Sequence, residues 1–210
     1  VPVNLPSHGH GQGFADLHFL IPELVVGLDA SKGPYYADLG DFATAGAVNL
    51  RLAEKFEESY AQLTAGQYGI LRGLVIASPD LGDEWRAVAA AEMDQDDGPF
   101  DNPERLRRYN VYLRATHDVA TTGKVSTTLM SYGSTWRGSG QIPVRAVCGE
   151  GEAGEPPPEA YGAPCLDRFG NVDPSEGGGT QRHMASVAYS TSSPDAELTA
   201  LAYAIAYRFT

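Results

Sequence analysis

The sequence holds no long apolar run, no cluster of cations and almost no cysteine. A membrane-crossing helix needs roughly 18 or more consecutive apolar residues, and no stretch approaches that length. Any membrane role therefore falls to strands, which satisfy their backbone groups only by closing on one another. Lys and Arg number 15 against 27 Asp and Glu, a net charge of −12. Binding to phosphate backbones requires clustered cations, so this balance argues against a nucleic-acid partner. It also argues against recognition of an anionic lipid headgroup. The only cysteines, Cys148 and Cys165, flank a Pro/Glu/Gly-rich loop; their spacing matches no metal motif and suits a disulfide in an oxidising compartment. There is no Gly-x-Ser-x-Gly elbow and no paired acid/base constellation, so we expect neither an enzyme nor a resident cofactor. Val1-Pro2-Val3 opens the sequence without Met or a leader, which suggests a piece of something longer.

What is present is alternation. From Phe56 onward helical periodicity gives way to segments of large and small, or apolar and polar, residues at period two, divided by turn signals. Strands are expected over 56–67, 71–78, 84–94, 106–117, 123–134, 181–191 and 197–209. In 106–117, Tyr109, Val111, Leu113 and Ala115 oppose Asn110, Tyr112, Arg114 and Thr116. In 84–94, Trp85, Ala87, Ala89, Ala91 and Met93 oppose Arg86, Glu92 and Asp94. The last segment sets Leu201, Tyr203, Ile205, Tyr207 and Phe209 against Ala202, Ala204, Ala206 and Arg208. The connections sort by parity, with 78–84, 117–123 and 192–196 short, 95–105 longer and 136–180 very long; only the tight turn near 67–70 departs from this. Short turns at one end and long loops at the other characterise a membrane barrel, whereas a soluble sandwich has no reason to sort its loops.

Residues 1–52 differ in texture. Leu24 to Leu28 form a short apolar strand running into Lys32-Gly33-Pro34, and a second strand closes on Gly46-Ala47-Val48-Asn49. Gly33 and Gly46 suit positive φ or close backbone approach, and Pro34 stops strand pairing. Asp38 and Asp41 read as turn formers. His8, His10 and Gln12 sit in a Gly-spaced polar loop suited to ligand contact; no third ligand follows at metal spacing. In the long connection, Glu150, Glu152, Glu155 and Glu159 read as solvated loop. Asp173–Gly179 carries oxygen ligands but fits no calcium-loop spacing.

In this order, Lys32-Gly33-Pro34 after a strand, Gly46-Ala-Val-Asn49, Asp97-Gly-Pro-Phe-Asp-Asn-Pro103, Arg108-Tyr-Asn110, Gln141-Ile-Pro143, Arg168-Phe-Gly170 and Asp173-Pro-Ser-Glu-Gly-Gly178 resemble TonB-dependent outer-membrane receptors. The resemblance covers nearly the whole chain, although that family's energy-coupling box, the first half of its plug and most of its barrel have no counterpart here. It implies a mainly β fold: a partial transmembrane antiparallel barrel of about seven strands, open in this fragment, with part of a small α+β plug. Residues 1–52 would be the C-terminal part of the plug, and 53–210 the first strands and extracellular loops of the barrel. It further implies active uptake, across a Gram-negative outer membrane, of a scarce small-molecule nutrient such as a ferric siderophore. The expected partners are the TonB energy-coupling complex and outer-membrane lipid, the apolar strand faces meeting the lipid. His8, His10 and Gln12 would lie on the plug's ligand-facing loop and Asp96, Asp97, Trp136 and Arg137 near the extracellular mouth. Lys32, Gly33, Pro34, Gly46 and Asn49 would be structural. The competing expectation is a secreted, soluble β-sandwich binding carbohydrate on a platform of Tyr35, Tyr36, Trp85 and Trp136.

Overall fold

A computed structural model of the protein describes residues 1–4, 15–39, 43–119, 122–149, 156 and 165–210. Alternation at period two resolves into nine strands: β1 (Val25–Lys32), β2 (Gly46–Leu52), β3 (Tyr60–Ala65), β4 (Leu71–Ala77), β5 (Trp85–Asp96), β6 (Leu106–Val119), β7 (Gly123–Arg137), β8 (Gly177–Ser192) and β9 (Glu197–Phe209). β1 and β2 pair in a two-stranded sheet, and β3 to β9 form one seven-stranded sheet in sequence order. Every pairing is antiparallel. Helical structure among the described residues is confined to single 3-10 turns at Pro22–Leu24, Ala37–Leu39 and Val144–Ala146. A sequential meander in one open sheet corrects the sandwich alternative, which requires two sheets packed face to face.

The loop parity holds. Connections 78–84, 120–122 and 193–196 lie at one end of the sheet, and 66–70, 97–105 and 138–176 at the other. Several expected boundaries shift, most of all at the starts of two strands. Residues 56–59 precede β3 rather than joining it, since the Phe56 amide donates to Ser78 Oγ at 3.0 Å. β8 begins at Gly177, four residues earlier than expected, because Gly177, Gly178 and Gly179 pair with Arg137, Trp136 and Thr135. A Cβ at Gly178 would press on the Trp136 ring at 2.9 Å. The glycines that read as a loop are what allow the strand to pass this indole.

Register assigns each residue to a face. One row runs Gln62, Leu74, Glu92, Asn110, Tyr132, Arg182 and Tyr207; the adjacent row, on the opposite face, runs Ala61, Val75, Ala91, Val111, Ser131, His183 and Ala206. The first face is inner, because the segment before β1 packs on it. Phe19, Ile21 and Leu24 join Leu74, Ile76, Val88, Ala90, Tyr112, Met130 and Tyr132 in one core. Burying Ile21 and Leu24 stabilises this contact by about 2 kcal/mol each. The outer face carries exposed Leu63, Val75, Met93, Leu113, Leu129 and Val187.

The expected face pattern is observed in β5, β6 and β7, where Arg86, Glu92, Asp94, Arg114 and Lys124 share the inner face, and only Arg107 and Arg137, at strand ends, carry charge on the outer one. β9 differs. Its large residues Tyr203, Ile205 and Tyr207 pair beside Ser186, Met184 and Arg182, so they lie on the inner face, and the alanines lie outside.

The β1–β2 hairpin turns where its glycines require it. Gly33 has φ +82°, and its amide donates to the Ala45 carbonyl at 2.8 Å. Gly46, at φ +144°, leaves no room for a Cβ beside the Ser31 carbonyl. Lys32 pairs with Gly46 and Asn49 with Asp29, while Pro34 lies just past the strand. In the long connection, Cys148 and Cys165 form the expected disulfide with a Cα separation of 5.0 Å. A parallel bridge between Val147 and Leu166 flanks it.

Candidate functional site

The inner face and the loop-rich end above it hold the chemistry. Arg72 of β4 points inward beside the segment preceding β1, and its Nη1 and Nη2 donate to the two carboxylate oxygens of Glu23, each at 2.8 Å. Its Nε donates to Glu92 at 2.6 Å. Glu92 is fully buried, and its other oxygen accepts from Asn110 Nδ2 at 2.7 Å. That same amide donates to the His18 carbonyl at 3.1 Å. Arg108 completes the group by donating to Asp94 at 2.6 Å. A buried carboxylate is tolerable only with such partners. Arg72 holds the Glu23 carboxyl below its ordinary range, chiefly by hydrogen bonding and against the opposing effect of burial.

A second cluster surrounds Glu54, just after β2. It accepts from Arg114 at 2.7 Å and Lys124 at 3.1 Å, with Arg86 at 3.6 Å. Arg86 itself forks onto Asp118 at 2.6 and 2.7 Å. A third contact is made by Arg182 of β8, whose guanidinium lies 4.6 Å over the Phe19 ring and donates to the Pro2 carbonyl at 3.3 Å. The N-terminal residues are thus tied to the sheet by an apolar core flanked by three cationic anchors. Alternation places Arg86, Glu92, Asp94 and Arg114 on one parity of their strands, but it singles out neither Glu23 nor Arg72, which stand 49 positions apart.

At the loop-rich end, the loops are knitted to one another. Phe100 and Phe169 meet edge to face at 6.5 Å, and the Asp101 amide donates to the Phe169 carbonyl at 3.0 Å. Asn171 Nδ2 donates to the Gly138 carbonyl at 2.9 Å. Trp136, on the inner face, lies 6.1 Å from Phe209 between ring centroids. Asp96 accepts from the Gly98 amide at 2.8 Å, and Asp97 pairs with Arg107 at 3.3 Å. Asp173 accepts from the Ser175 amide and hydroxyl, and these bonds hold its carboxyl below its ordinary range.

Of the residues singled out from the sequence, Asp96 and Trp136 share the inner face, while Arg137, adjacent to Trp136, takes the outer one. His8, His10 and Gln12 lie outside the described residues, as do Asp41 and the Asp38 side chain. No group of three His, Cys, Asp or Glu side chains is placed to hold a metal ion among the described residues. The Glu23–Arg72–Glu92 and Glu54 clusters and the Arg182 contact were missed as units. The available signal was weak: carboxylates and cations recurring on the same parity of adjacent strands.

A one-sheet meander with a charged inner face, an apolar outer face and a small module docked inside is a fold found within larger solved proteins. Two solved structures share it. The siderophore receptor PiuA from Acinetobacter baumannii superposes with a TM-score of 0.68 over 89% of this chain, at 14% identity. The ferric-catecholate import receptor Fiu from E. coli K12, in an open form, gives a TM-score of 0.64 over 87% of this chain at 15% identity. The chain spans 26% and 29% of those two chains. No protein-family profile and no curated protein sequence matches it. The mainly β, open antiparallel fold shared with these two receptors is the one expected from the sequence.

Proposed function

We propose that this chain is part of an outer-membrane receptor that imports a scarce nutrient such as a ferric siderophore, driven by the TonB energy-coupling complex. The observation carrying this reading is the docked inner module: Phe19, Ile21, Leu24, Glu23 and Glu54 anchor to the inner face of a sheet whose outer face is apolar. The likeness to a siderophore receptor and a ferric-catecholate import receptor supports the nutrient class. In this reading residues 1–52 belong to the plug and 53–210 to the barrel. Ligand meets the loop-rich end, where Trp136 supplies an aromatic surface and Asp96 and Asp97 supply polar groups. His8, His10 and Gln12 contact it from the plug side.

The test uses the complete protein. We expect it to fractionate with the outer membrane as a heat-modifiable band and to bind a ferric catecholate, with quenching of Trp fluorescence that Trp136→Phe reduces. Recovery as a soluble monomer would overturn the reading. An outer-membrane location with no binding across ferric catecholates, hydroxamates and citrate would overturn the nutrient class alone.

A further inference from the structure

The net charge of −12 conceals a segregation. Every Asp and Glu within β3 to β9 falls on the inner face by register: Glu92, Asp94, Asp96, Asp118 and Glu197. Of the inner-face cations, Arg72, Arg86, Arg108, Arg114 and Lys124 are each matched to a carboxylate, and Arg182 lies over the Phe19 ring. The outer face carries no carboxylate, yet it holds three arginines: Arg107, Arg137 and Arg208. All three are exposed, and all three lie at the loop-rich end, Arg107 at the start of β6 and Arg137 and Arg208 at the ends of β7 and β9. Arg107 Nη1 donates to the Leu106 carbonyl at 2.8 Å and meets one carboxylate, Asp97 from the 97–105 loop, at 3.3 Å. No side-chain partner is found for Arg137 or Arg208 among the described residues.

Arg107 and Arg208 also border a groove of about 640 Å³ whose apolar wall is Leu63, Leu71, Met93 and Tyr109. The Tyr109 ring reaches over Gly133, where a Cβ would collide with it, and Gln181 lies between Gly133 and Arg208 in the register. Cations above an apolar groove, on a face otherwise free of charge except for histidine, complement a lipid whose headgroup carries phosphate and whose chains lie along the strands.

We propose that this groove holds a lipid with a net-anionic phosphate headgroup, with Arg107 and Arg208 gripping the headgroup and Leu63, Leu71, Met93 and Tyr109 seating an acyl chain. The proposal rests on the receptor reading above, which makes the outer face the lipid face. It reverses the expectation from net charge, which counts carboxylates that the fold turns inward or leaves in loops.

The test takes the complete protein, delipidated in detergent, and measures retention of lipid A, a diphosphorylated glycolipid, against phosphatidylcholine by native mass spectrometry. We expect lipid A to be preferred, and Arg107→Gln with Arg208→Gln to weaken that binding by about fivefold per arginine, the equivalent of ~1 kcal/mol each. Phosphatidylcholine retention should not change. Equal retention of the two lipids by the parent protein, or unchanged lipid A affinity in a double variant that keeps its heat-modifiable mobility, would overturn the proposal. If the variant loses that mobility, Arg208→Lys, which keeps the charge, must retain lipid A for the proposal to stand. Recovery of the complete protein in the soluble fraction would remove the receptor reading and this proposal together. An outer-membrane protein without lipid A preference removes this proposal alone.

Discussion

Glu92 has no exposed surface, and its charge is held by Arg72 and Asn110. Removing the cation should therefore cost more than removing the acid. Arg72→Met leaves buried Glu92 with only the longer Arg108 ion pair at 3.8 Å and leaves Glu23 unpaired, so we expect a loss of about 3 kcal/mol. Glu92→Gln leaves Arg72 forked onto Glu23 and should lose about half as much or less. Denaturant unfolding of the complete protein in detergent, followed by loss of heat-modifiable mobility, ranks the two; the reverse order would count against the network. The Glu23 carboxyl titrates below its ordinary value of 4.5 because Arg72 donates to it. A lowered folded-state pKa means its contribution is complete above the unfolded value and is lost as pH falls through the folded one. The stability gap between parent and Glu23→Gln should thus hold from neutral pH to about pH 5 and then close on further acidification. A gap that widened with acid would contradict the pairing.

Among the elements, β6 offers the sharpest discrimination between lipid and water. Leu113 is 44% exposed on the outer face, flanked across the ladder by Ala89 and Leu129. In a soluble protein, Leu→Arg at such a surface position would change stability by no more than about 0.5 kcal/mol. Facing lipid near mid-strand, it should cost ~2–4 kcal/mol. Folding Leu113→Arg into vesicles of defined lipid, with gel mobility as the readout, measures the difference. β9 makes the complementary case. Its outward residues are alanines and its large residues face inward, so Ala204→Arg should impair folding into lipid more than Tyr203→Arg, despite the bulkier side chain lost in the latter.

At the scale of the molecule, the seven-stranded sheet has two open edges, since β3 and β9 each pair on one side only. Open edges offer unpaired backbone groups to other chains, and the outer face adds exposed apolar surface. The 210-residue chain by itself should therefore aggregate in water and require detergent, which analytical ultracentrifugation with and without detergent will show. A monodisperse, cooperatively unfolding monomer in plain buffer would contradict both the open edges and the lipid face.

Much of this was written in the sequence because period-two alternation and turn chemistry are local. Trp85 to Met93 and Tyr109 to Ala115 declare their faces without reference to anything distant, and Gly33 and Gly46 declare their turn because a Cβ does not fit there. The disulfide was legible for a similar reason, two cysteines flanking one loop. Partnership across the chain was not local. Whether the aromatic or the alanine side of β9 turns inward depends on its register with β8, since alternation alone is symmetric between the two faces. The joining of Glu23 to Arg72, and of Glu54 to Arg114 and Lys124, depends on where the N-terminal residues dock, which no spacing encodes. Net charge hides this segregation for the same reason: it sums over faces that only the tertiary structure separates, the strands' carboxylates inward and three arginines outward at the loop-rich end.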